Sequence, residues 1–91
     1  MREKDLGSVA VIGAGTMGSD VALLFAISGF DVTVIETSEK ARKALLRKNE
    51  ETLKELVKEG RVKEEPEEVL PRIKAGKELK DVKKADFVFE A

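Results

Sequence analysis

Apolar positions follow three different patterns along this chain. From Ser8 to Ile12 the run SVAVI is apolar after its first residue and partly β-branched, and glycine follows at once. A strand buried on both faces of a parallel sheet looks like this. A second β-branched run, Val32 to Ile35, ends at Glu36. Between the two, residues 16–28 (TMGSDVALLFAIS) put apolar side chains at nearly every helical angle, broken only by Ser19, Asp20 and Ser28. That pattern predicts a helix buried on more than one side, with Gly29 as its C-cap.

From residue 39 to about residue 59 the pattern becomes amphipathic. Ala41, Leu45, Leu46, Leu53, Leu56 and Val57 share one side of a helical wheel, Thr37 and Ser38 offer N-caps, and Gly60 ends the run. Glu39 with Lys43, Glu50 with Lys54, and Arg47 with Glu51 are spaced as i,i+4 pairs. The apolar stripe is too short for a coiled coil. Asn49 falls in the middle of it, where a buried, hydrogen-bonded amide is expected, and Thr52 on the same face is expected to pack. Glu64-Glu65-Pro66-Glu67-Glu68 then opens a short helix that Pro71 should close. Residues 73–76 read as a third strand, 79–84 as a helical turn and 85–91 as a fourth strand.

Charge sharpens this division. Residues 1–37 hold 7 charged side chains and residues 38–91 hold 28, so the first part reads as core and the second as surface helices. The chain has 91 residues with 17 basic and 18 acidic side chains, a net charge of −1, and neither cysteine nor histidine. One small domain, or part of one, is implied. The near-zero charge gives no electrostatic basis for binding nucleic acid. Disulfides, thiolate zinc sites and a thiol nucleophile are excluded, and the commonest general base is missing. No run approaches the roughly 18 apolar residues of a membrane span, and the expected location is cytoplasmic.

The candidate chemistry lies between the first strand and the first helix. There GAGTMG places Gly13, Gly15 and Gly18 in the pattern G-x-G-x-x-G, and Glu36 stands 21 residues after Gly15, at the end of the next strand. A glycine pattern alone is weak evidence, but strand, helix and spaced acid complete the dinucleotide fingerprint. Gly13 permits the tight turn, Gly15 lets a phosphate approach the backbone, and Gly18 lets the helix pack against the sheet. The NH groups of Thr16 and Met17, at the positive end of the helix, would bind the pyrophosphate. Glu36 would accept from the adenosine ribose hydroxyls and repel a 2′-phosphate, favouring NAD over NADP. Lys40 and Arg42, just downstream, are placed to offset that repulsion. The blander reading is a glycine-shaped turn beside a solvated acid. Asp20, one turn into the helix, is expected to face solvent.

VAVIGAGTMGSDVALLFAISGFDVTVIETS, the helical insertion and KKADFVFEA together resemble the amino-terminal part of the 3-hydroxyacyl-CoA dehydrogenases. The resemblance implies an α/β, Rossmann-type parallel sheet in the order 3-2-1-4, with helices on both faces and a helical insertion before strand 3. Residues 1–91 would be a partial NAD-binding domain. The resemblance implies an enzyme of fatty acid metabolism, a cytoplasmic oxidoreductase that in full length oxidises an L-3-hydroxyacyl-CoA with NAD. The family's catalytic histidine and its partners, with a helical dimerisation domain, would lie beyond the fourth strand, so this chain alone would bind the ADP part of NAD and be inactive. The family's inserted helix also helps hold CoA through a hydroxyl and a basic residue, near Thr52 and Lys58 here, with Glu59 adjacent. Where the family often has His-Gly, this chain has Ser19 and Asp20. The alternative is a stand-alone nucleotide-binding or regulatory module. Phe87, Val88 and Phe89 would form an open apolar edge, predicting a homo-oligomer.

Overall fold

The β-branched runs become strands because their side chains pack on a pleated surface that is covered from above. The structure, a computed structural model, describes residues 7–13, 16–78 and 85–90. Its elements in chain order are β1 (Ser8–Ile12), α1 (Thr16–Ser28), β2 (Asp31–Ile35), α2 (Glu39–Lys58), α3 (Pro66–Val69), a 3₁₀ turn (Leu70–Arg72), β3 (Ile73–Gly76) and β4 (Phe87–Glu90). The four strands form one sheet in the order β3-β2-β1-β4, and every pairing is parallel. The predicted Rossmann-type order is therefore the observed one. Ile12 lies opposite both Ile35 and Glu90, and Ile35 opposite Gly76, so the carboxyl ends of all four strands finish level.

Val9, Val11, Val32, Val34 and Ile73 form one apolar face of the sheet. Ala22, Leu23 and Ala26 of α1 cover it together with Leu45 and Leu53 of α2, and Val62 and Val69 of the insertion complete the core. The expected helical turn at 79–84, between β3 and β4, lies outside the described residues.

Several boundaries have identifiable causes. Gly29 (φ 112°) donates to the Ala26 carbonyl at 3.1 Å and Phe30 to the Phe25 carbonyl at 3.0 Å, the paired bonds of a Schellman ending. The Phe25 and Phe30 rings then meet edge to face at 5.4 Å, the apolar contact that such endings favour. Ser38 caps α2 by accepting from the Ala41 amide at 3.2 Å. Glu65 precedes Pro66, and its amide donates to the Glu68 carboxylate at 3.1 Å, satisfying one free donor at the start of α3.

Three expectations need correction. Pro71 does not stop the chain's coiling: α3 ends at Val69 and the backbone tightens into the 3₁₀ turn that contains Pro71. A proline fits there because the first residues of a helical turn have no amide bond to lose. Leu24 is 65% exposed, so burial of α1 stops short of that side. Of the expected 85–91 strand, the described residues pair over Phe87–Glu90, all four of them exposed, while Ala91 lies outside the described residues.

Candidate functional site at the carboxyl edge of the sheet

The site begins where β1 ends. Gly13 has φ 93°, a left-handed conformation costly for residues with a Cβ, and its amide donates to the Ile35 carbonyl at 3.1 Å. The turn is thereby tied to β2 while the chain reverses into α1, which starts at Thr16. Thr16 and Met17 supply the first turn of α1 and Gly18 is buried, as helix-to-sheet packing requires. Gly15 lies outside the described residues. β1 has β2 on one side and β4 on the other, so the sheet order reverses direction beside it. Crevices that take ligands in open α/β sheets form at this kind of position, outside the strands' carboxyl ends.

Charge at the first turns of the helices distinguishes α1 from its neighbours. The first turn of α2 carries Glu39 and that of α3 carries Glu67 and Glu68, whereas α1 has no acid in its first turn. The positive end of α1 is thus left uncompensated by its own side chains, as an anion site needs. Asp20 is exposed, as expected, and its carboxylate lies 3.9 Å from Lys48 Nζ on α2.

Glu36 follows β2 directly, half-buried, and its amide donates to the Gly76 carbonyl at 2.9 Å. Its Oε1 accepts from the Ser38 amide at 3.2 Å, which orients the carboxylate beside the turn into α2. Arg42 donates through Nη1 to the carbonyls of Glu36 (2.7 Å) and Thr37 (3.1 Å). The structure therefore brings Gly13, the start of α1 and Glu36 to one edge of the sheet. An acid-free helix start, a left-handed glycine and an oriented carboxylate fit a dinucleotide's pyrophosphate and ribose.

Two features escaped sequence reasoning. The clamp by Arg42 spans six residues and has no motif, although an arginine in a helix's first turn beside a strand end was a usable hint. Ser19 donates to Asn49 Oδ1 at 2.9 Å with both residues buried, so Ser19 serves the packing of α1 on α2. Thr52 and Lys58, the CoA-holding pair implied by resemblance, both lie on α2. At about 100° per residue, Lys58 lies about 120° round the helix from Thr52. Glu59, nearly in line with Thr52, instead lies 3.5 Å from Arg61 Nε.

The comparisons agree with this geometry. The family model described as 3-hydroxyacyl-CoA dehydrogenase, NAD binding domain, matches residues 8–91. A Deinococcus radiodurans protein named "Probable 3-hydroxybutyryl-CoA dehydrogenase" is 38% identical over 81 residues, covering 89% of this chain and 29% of the relative. The crystal structure of M. tuberculosis FadB2 superimposes with a TM-score of 0.86 at 32% identity, over 97% of this chain and 31% of that one. That of (S)-3-hydroxybutyryl-CoA dehydrogenase PaaH1 from Ralstonia eutropha gives 0.83 at 30% identity, over 92% of this chain and 30% of that one. The chain thus spans less than a third of the length of each of these proteins. Among the described residues, no helix is long and apolar enough to cross a membrane. From β1 onward, the protein belongs to the 3-hydroxyacyl-CoA dehydrogenase family, as its NAD-binding domain.

Proposed function

We propose that this chain holds the ADP half of NAD across the carboxyl edge of β1 and β2. Gly13 would shape the tight turn, Gly15 would let the pyrophosphate approach the backbone, the amides of Thr16 and Met17 would donate to it, and Gly18 would keep α1 close to the sheet. Glu36 would accept from the adenosine ribose hydroxyls and exclude a 2′-phosphate. The observation that carries the reading is the acid-free start of α1, set on a left-handed glycine beside an oriented carboxylate.

In the whole protein, bound NAD would supply the hydride acceptor for oxidation of an L-3-hydroxyacyl-CoA to the 3-oxoacyl-CoA. The chain has no histidine. The resemblance implies a histidine as the base for that reaction, which would then lie outside these 91 residues, and this chain's part would be binding and orientation. Gly15→Val tests the phosphate approach, because an added side chain would occupy the space a phosphate needs. Loss of NAD binding by calorimetry, with an unchanged circular dichroism spectrum, is expected. A folded variant with wild-type affinity would contradict the site.

A further inference from the structure

α2 and β3 border a second space, away from the carboxyl edge. This cleft has a volume of about 220 Å³ and is lined by Leu46, Asn49 and Glu50 of α2, Leu70 of the 3₁₀ turn and Ile73, the residue that opens β3. Engineered cavities of roughly 150 Å³ with walls of leucine, isoleucine and phenylalanine admit benzene, so there is room here for a small organic molecule. Asn49 is the buried polar residue of the wall, 2% exposed. Its Oδ1 accepts from Ser19 of α1 at 2.9 Å, while Nδ2 has no partner among the described residues. An unpaired donor beside aliphatic side chains is costly, and the cost is offset when an acceptor meets it. Glu50 is exposed at the rim with its carboxylate 3.0 Å from Lys54 Nζ, so the charge there is already paired.

We infer that this cleft binds a small neutral aliphatic molecule bearing a carbonyl, of the class of short-chain ketones, esters and amides. The aliphatic part lies against Leu46, Leu70 and Ile73, and the carbonyl oxygen accepts from Asn49 Nδ2, whose amide Ser19 holds by its other end. A carboxylate of the same shape is disfavoured: the lining residues include no cation, and burying an unpaired charge costs far more than burying a carbonyl that is hydrogen-bonded. The cleft shares no residue with the contacts proposed for NAD, so it stands or falls independently of them.

Asn49 is the chain's sole asparagine and the sequence has no glutamine, so a heteronuclear NMR spectrum holds one side-chain amide pair, which reports on Nδ2 directly. The test is titration of the whole chain with isopropyl methyl ketone, and with isobutyrate as its charged counterpart. The ketone should move the amide pair downfield and saturably, together with the methyl signals of Leu46, Leu70 and Ile73, and isobutyrate should bind at least about tenfold more weakly. Asn49→Leu should weaken ketone binding by about three- to tenfold, the scale of one hydrogen bond. Leu46→Phe, which fills the cleft from its exposed side, should abolish the shifts of the amide pair and the remaining methyl groups. Melting followed by circular dichroism checks that each variant is folded. Methyl shifts without movement of the amide pair overturn the role of Nδ2, and equal binding of isobutyrate overturns the preference for a neutral ligand. Shifts that persist in folded Leu46→Phe place the ligand elsewhere and overturn the cleft as its site. A bound water contacting the amide pair that the ketone does not displace, or no saturable shift in wild type, overturns the site itself.

Discussion

Ser19 and Asn49 show how one polar contact is set inside an apolar seam. Both are 2% exposed, and Ser19 donates to Asn49 Oδ1, yet Asn49 Nδ2 has no partner among the described residues. A half-satisfied buried amide is a cost, since leaving a buried donor unpaired forfeits its hydration. The double change Ser19→Ala/Asn49→Leu removes both polar groups and keeps a similar volume. It should leave stability unchanged or raise it by about 1 kcal/mol in urea unfolding. A loss above about 1 kcal/mol would mean the pair contributes more than this accounting allows. The burial of Asn49 was legible because it interrupts an apolar stripe. Its partner was not, since Ser19 is 30 residues away in sequence and carries no local signal. Gly13 and Glu36 were legible for the opposite reason: the fingerprint ties each to a neighbouring element's end.

Elements differ in how openly they declare themselves. β1, α1 and β3 begin and end where pattern placed them, and the cap and ion pairs of α2 include Ser38, Glu39 with Lys43 at 3.5 Å, and Glu50 with Lys54 at 3.0 Å. Those ion pairs are exposed and worth only about 0.2 to 0.5 kcal/mol each. Arg47 and Glu51, equally well spaced, form no ion pair in the described structure. Spacing permits such a contact, but ordering two long exposed side chains opposes it.

The insertion held a larger surprise. Arg72, within a charged stretch that reads as surface, is 6% exposed. It donates to the Ala26 carbonyl at 2.7 Å and to both carboxylate oxygens of Glu64, at 3.0 and 2.6 Å. The 3₁₀ turn is thereby fastened to the end of α1, where carbonyls lack helical partners. Arg72→Met should destabilise the fold by about 2 to 3 kcal/mol in urea unfolding, because it leaves the Ala26 carbonyl and Glu64 without their cation. A change below about 0.5 kcal/mol would show that water replaces the clamp without cost.

At the scale of the whole molecule, two surfaces matter. The edge strand β4 presents Phe87 at 58%, Val88 at 60% and Phe89 at 37% exposure, although the Phe89 ring reaches Phe25 and the Phe87 ring reaches Phe30. An apolar strand paired on one side is a template for another strand, and self-association of the purified chain is expected through it. Sedimentation velocity should show a concentration-dependent dimer or larger species that Val88→Lys reduces. A monomer at high micromolar concentration would contradict this. The second surface is the carboxyl edge, where β1, α1 and β2 converge on one candidate ligand site. Its test is calorimetric titration of the chain with NAD, ADP-ribose and NADP. The account predicts that NAD and ADP-ribose bind alike and NADP much more weakly, since every assigned contact lies on the pyrophosphate or the adenosine ribose. A folded chain that binds none of the three, or binds NADP as well as NAD, would contradict it.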